Sequence, residues 1–162
     1  MSQDLDELMR GFEGIFGYPP DDNVVTRAEA GGESEAIAEL SSMGASSDLL
    51  EFYSEVHEVS LPDVQNGLFI ESATAVVDGA KDGQPTRVTG AVEDSVIVIG
   101  SDGGGGLFAL SRSDGKIYLL QGGALVGSTY EVESGGVEVI ANELPSLLEG
   151  FHQKVREALQ DA

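Results

Sequence analysis

The sequence predicts an α+β domain with helices over one face of an antiparallel sheet. Three observations carry this. Apolar residues recur at helical spacing in the first half and again at the C-terminus. Between residues 95 and 140 the pattern changes to short β-branched runs. Tight, glycine-containing turns join those runs and are too short to hold crossover helices.

Leu5, Leu8, Met9, Phe12, Ile15 and Phe16 fall on one stripe, so an amphipathic helix is expected at residues 3–16, stopped by Gly17-Tyr18-Pro19-Pro20. Residues 19–35 are polar, with paired Pro, Asp and Gly, and read as a loop or mobile linker in which Val24 and Val25 can add a short strand. Ala36, Ile37 and Leu40 outline a weak helix to about Met43, broken at Gly44 to Ser47. A stronger helix follows. Asp48 and Glu51 form a capping box, Leu49, Phe52, Tyr53 and Val56 make its buried stripe, and Glu51, Glu55 and Glu58 lie towards the other face. Pro62 and the Asn66-Gly67 turn end it. Leu68–Ile70 reads as a strand and Ser72 to about Lys81 as a helix closed by Asp82-Gly83.

The central sheet is then expected to hold about five strands. They are Ser95–Ile99, Leu107–Leu110, Lys116–Leu120 after a Ser113-Asp114-Gly115 turn, a strand within Leu125–Val132, and Val137–Ile140. Asn142 suits an N-cap and Pro145 a first helical turn. Leu144, Leu147, Leu148, Phe151, Val155 and Leu159 mark the final helix. The expected order is helices, meander, helix, in one domain spanning residues 1–162.

Composition narrows the function. The net charge is −21, from 29 acids and 8 Lys and Arg, and residues 1–63 hold 15 of those acids against two bases. Such a field repels phosphate backbones and anionic bilayers, so neither direct nucleic-acid binding nor membrane binding is expected. It attracts and steers a basic protein. There is no cysteine, which removes disulfides, thiolate metal sites and a cysteine nucleophile, and fits a cytoplasmic address. The N-terminus is acidic and without an apolar core, so no signal peptide is expected.

No catalytic constellation emerges. Gly103-Gly104-Gly105-Gly106 follows a strand but leads into another strand, and lacks the Lys-Ser/Thr of a phosphate loop and the helix of a dinucleotide site. It reads as a hairpin loop or bulge. Asp102 beside it could ligate a cation, but no spaced acids complete a calcium loop. His57 and His152 each sit on a predicted helix without a second His at zinc-site spacing. No nucleophile elbow surrounds any serine. The site residues expected from the sequence are therefore partner-facing acids, Glu51, Glu55, Glu58 and Asp63, with no catalytic, cofactor or metal residue.

Three stretches in order resemble the SUKH (Smi/Knr-type) superfamily. The first is Leu49-Leu50-Glu51-Phe52-Tyr53 with Leu61-Pro62-Asp63 and Asn66-Gly67-Leu68-Phe69-Ile70. The second is Val96-Ile97-Val98-Ile99-Gly100-Ser101-Asp102-Gly103-Gly104-Gly105-Gly106-Leu107-Phe108. The third is Ile117-Tyr118-Leu119-Leu120, followed by the helix of Leu147, Leu148 and Phe151. The resemblance spans about residues 48–151. It implies a non-enzymatic α+β binder. Many bacterial members look like immunity proteins that neutralise toxins, often nucleases, and others are similar to regulators of cell-wall synthesis that act as interaction hubs. The family's turn residues map onto Pro62, Asn66, Gly67, Asp102, Gly103 and Gly105 as structural positions. The expectation is an immunity-type protein that covers the basic cleft of a toxin. The alternatives are a regulatory interaction module with no toxin, and a small-ligand binder or hydrolase using the Gly-rich loop.

Overall fold

The computed structural model describes Arg10 and residues 23–29, 31–65 and 67–161. Apart from Arg10, the helix expected at 3–16 and its stop lie outside the described residues, as does Asn66. From residue 23 on, the described residues form ten strands and four α-helices. They are β1 (Val24–Arg27), α1 (Ser34–Ser42), α2 (Ser47–Glu55), β2 (Val56–Leu61), β3 (Leu68–Ile70), α3 (Ala73–Lys81), β4 (Arg87–Gly90) and β5 (Asp94–Ser101). There follow β6 (Leu107–Ser111), β7 (Ile117–Leu120), β8 (Ala124–Val126), β9 (Thr129–Val132), β10 (Val137–Ala141) and α4 (Leu144–Asp161). The mixed α+β class holds. The expected count of about five strands does not, and the order of helices, meander, helix gives way to strands set among the helices.

One sheet runs β1-β2-β3-β5-β6-β7-β10, every neighbouring pair antiparallel. At its Asp94 end, β5 also pairs β4, which continues through β9 to β8. The β4–β9 pair is parallel, with Arg87 beside Thr129. This departs from the all-antiparallel expectation because the whole stretch from β5 to β8 acts as the crossover between these two strands.

Strand alternation explains the two cores. Ile97 and Ile99 of β5, Phe108 and Leu110 of β6 and Ile117 of β7 face the helices. There they meet Leu49, Phe52 and Tyr53 of α2, Val76 and Val77 of α3, and Leu147, Phe151 and Val155 of α4. The Phe108 and Phe151 rings pack at 5.6 Å between centroids. Each large side chain buried here stabilises the fold by about 1.5–3 kcal/mol. Val96, Val98, Ala109, Tyr118 and Leu120 point the other way and are covered by Val88, Tyr130 and Val132 of the small β4–β9 layer. Helices do cover a single face, as expected, but the opposite face carries its own sheet.

The α2 boundaries differ from expectation at both ends. Its cap is Ser46, whose Oγ accepts from the Leu49 amide at 3.3 Å, rather than an Asp48–Glu51 box. The helix ends at Glu55, and Val56 to Leu61 continue as β2, taking His57 and Glu58 with them. Val56 and Val59 fit a helical stripe by spacing, yet their β-branched side chains favour the strand that pairs with β1 and β3. Helix α3 starts as expected, with Ser72 Oγ accepting from the Ala75 amide. Helix α4 starts at Leu144, where the Glu143 carbonyl accepts from the Leu147 amide.

Candidate functional site

A groove of about 510 Å³ runs between α2 and α4 over the β1–β2 edge of the sheet. Asp48, Glu51, Phe52 and Glu55 recur at spacings of three and four on α2, so one face of that helix presents both an apolar and an acidic stripe. Phe52, Val56, Val59 and Leu148 form the floor, and Asp48, Glu51, Glu55 and Glu149 stand along it. Helix α4 contributes Leu144, Pro145, Glu149 and His152. Glu51, Glu55 and Glu149 are exposed, so their charge faces solvent at the rim. Four carboxylates around an apolar trough suit a ligand that brings positive charge and an apolar ridge together.

Of the four acids expected from the sequence, the groove unites Glu51 and Glu55. Glu58 lies on β2 opposite Thr26, and because its neighbour Val59 is buried, strand alternation puts Glu58 on the other face. Asp63 clamps the buried Asn23. Its carboxylate accepts from Asn23 Nδ2 at 2.8 Å and its amide donates to Asn23 Oδ1 at 3.0 Å. Sequence reasoning missed Asp48 as a rim residue, because it was assigned to capping, and missed Glu149 and His152. The signal was available: on the final helix His152 follows Leu148 by four residues and Glu149 by three, spacings that make neighbours on a helix surface.

The turn residues form a second place. Gly67 has φ +116, and a β-carbon there would sit 2.6 Å from the Phe69 ring and 3.6 Å from Gly103 Cα. Gly67 thus lies close against the Gly-rich loop. Asp102 organises that loop, its Oδ1 accepting from the Gly104 and Gly106 amides, both at 2.9 Å. A cleft of about 300 Å³ separates the loop from Phe151 and Lys154 of α4. The two amides are turned onto Asp102, so the loop does not offer them to an anion. This is the hairpin loop expected at Gly103–Gly106, joining β5 to β6.

His57 is tied rather than presented. Its Nδ1 lies 2.6 Å from Glu33 Oε1, and Glu33 Oε2 accepts from the Thr74 amide at the start of α3 at 3.2 Å. Tyr53 beneath them donates to the Glu71 carbonyl at 2.7 Å. Burial, and then the charges of Glu33 and Glu71, push its phenol far above the usual range, so it stays a neutral donor. Among the described residues, no group of three or more His, Asp or Glu is placed to hold a metal ion. No described helix is long and apolar enough to cross a membrane.

No protein-family model, curated protein or solved structure matches the chain.

Proposed function

We propose that this chain is a binding protein whose α2–α4 groove takes a basic protein partner, and that it acts as an immunity-type inhibitor by covering the basic cleft of a toxin. The observation that carries the reading is the groove itself, an apolar floor of Phe52, Val56, Val59 and Leu148 between the carboxylates of Asp48, Glu51, Glu55 and Glu149. The resemblance to SUKH-type immunity proteins supports it. So does the net charge of −21, which speeds encounter with a cation-rich surface. The rim acids set approach and register, and the floor holds the partner once seated. No chemical step is needed: a nuclease-type toxin whose cleft is filled cannot admit its own polyanionic substrate.

The test is co-expression with a basic toxin encoded beside this chain's gene, followed by stopped-flow association of the purified pair. Wild type should rescue growth, and its association should slow steeply as salt rises. Glu51→Lys with Glu55→Lys should slow association by about tenfold or more while leaving the fold intact, because both side chains are exposed. A rate indifferent to both salt and charge reversal overturns the reading.

A further inference from the structure

The sheet has an unguarded edge. Strand β8 ends the order β5-β4-β9-β8, and among the described residues it pairs with β9 alone. An edge strand offers a row of backbone donors and acceptors to any strand that approaches, and proteins blunt that hazard with charge, proline or a bulge. Edge strand β10 carries Glu138 and a register shift between Val139 and Ala141. Strand β1 carries Arg27 and a shift between Thr26 and Arg27. Strand β8 has none of these. Its register with β9 is continuous, Ala124 to Glu131, Leu125 to Tyr130 and Val126 to Thr129. All of residues 121–128 are exposed, with Leu125 at 48% and Val126 at 58%.

Charge says what this edge fits. Ile117 to Tyr130 is the longest run without Asp, Glu, Lys or Arg in a chain of net charge −21. A neutral edge gives a basic partner nothing to recognise, but it is where a second copy of so acidic a protein meets least repulsion. The strand is also close to a palindrome, Gly123-Ala124-Leu125-Val126-Gly127. Antiparallel pairing about a twofold axis at Leu125 sets Leu125 against Leu125 and Ala124 against Val126, apolar at every step, while Gly123, whose amide donates to the Tyr130 hydroxyl, and Gly127, at φ +65 in the turn, flank the paired segment. The same patch serves both copies, as a twofold dimer requires. We infer that β8 is a self-association edge, through which two copies join their β4–β9–β8 layers into one continuous sheet.

The pairing is short, so the dimer is a weak one, populated at high protein concentration. Sedimentation equilibrium of the full chain, from micromolar to millimolar, should show the mass rising from 16.9 kDa towards twice that value. Added salt should strengthen the dimer, since it screens the remaining charge between copies, whereas the groove's grip on a basic partner should weaken. The two readings therefore fail independently. Val126→Lys should weaken the dimer by about tenfold or more with an unchanged circular dichroism spectrum, and Val139→Lys on β10 should not. Because the chain has no cysteine, Leu125→Cys gives a second readout. Residues directly opposite in an antiparallel pair have β-carbons about 4.5–5.5 Å apart. The two thiols should therefore join as one disulfide, their two electrons and protons passing to added diamide, while Val139→Cys stays monomeric. A chain that remains monomeric at millimolar concentration in high salt, a dimer indifferent to Val126→Lys, or equal cross-linking of both cysteine variants overturns the proposal.

Discussion

Replacing Asp94 with alanine should cost the fold about 3 kcal/mol, although the side chain is only half-buried. Asp94 opens β5 and faces the β6–β7 turn. Its Oδ2 accepts from Ser111 Oγ at 2.6 Å and Tyr118 OH at 2.9 Å, and its Oδ1 from the Ser95 amide at 2.9 Å and Ser113 Oγ at 3.1 Å. Hydrogen bonds to a charged acceptor each contribute about 1.5–3 kcal/mol. Ser111 and Tyr118 are 1% and 2% exposed, so their hydroxyls are poorly placed to find water in exchange. Ser113 is exposed and re-solvates, and water entering the vacated space recovers part of the rest. For a chain of this size the loss lowers Tm by about 6–12 °C. The same bonds shape the acid limb. Burial alone would raise the Asp94 carboxyl, but hydrogen bonds from Ser111, Tyr118, Ser113 and the Ser95 amide outweigh it and hold the group below the ordinary carboxylate range. A depressed folded pKa gives stability that is present above the unfolded value, about 3.9, and lost as pH falls through the folded one. The gap between wild type and Asp94→Ala should therefore be widest at neutral pH and narrow below about pH 4. Urea unfolding at several pH values measures it, with Ser111→Ala closing a double-mutant cycle. A neutral-pH loss under about 1 kcal/mol, or full additivity of the two substitutions, refutes the network.

Gly100→Ala places a β-carbon 1.9 Å from the Phe69 carbonyl oxygen, against backbone of β3 that has nowhere to move, and should destabilise by about 3 kcal/mol in denaturant titration. Asp102→Ala removes the acceptor of two loop amides and should cost about 1–2 kcal/mol, with faster hydrogen exchange at Gly104 and Gly106 and no effect on partner association. Tyr53→Phe keeps the ring but loses the bond to the Glu71 carbonyl, for about 1 kcal/mol by thermal unfolding.

The strands with the clearest signal in the sequence are those with continuous apolar runs, and Leu68–Ile70 and Val137–Ile140 were legible as well. Ser95–Ile99, Leu107–Leu110 and Ile117–Leu120 are buried on both faces, so burial wrote itself directly into composition. Strand β4 escaped because Arg87-Val88-Thr89-Gly90 has one inward residue, Val88, and gains its place from pairing with β5 and β9, far away in the chain. Strand β2 escaped because Phe52, Val56 and Val59 satisfy helical spacing as well as they satisfy a helix-to-strand junction. That misplaced boundary also misassigned part of the site. Glu51 and Glu55 were found because they lie on helix before the junction, and Glu58 was grouped with them because it lies after it. Asp63 could not be separated from a surface acid until Asn23 appeared beside it, forty residues away.

Strand β5 has a further consequence, for how the chain reaches its fold. Val96 to Gly100 are buried from both sides, and Ser95 to Ser101 carry no charge. Helix α3, which comes shortly before β5 in the chain, supplies part of one cover early. The other depends on the parallel β4–β9 pair, which joins Arg87 to Thr129 and must wait for a much longer loop. In that interval Val96 and Val98 form a β-branched ridge open to other chains, the kind of segment that seeds aggregation. Glu93 and Asp94 before it and Asp102 after it act as gatekeepers, and the net negative charge keeps incomplete chains apart. Near the isoelectric point, about pH 4.1, that protection fades, and refolding there should lose material to aggregates nucleated on β5.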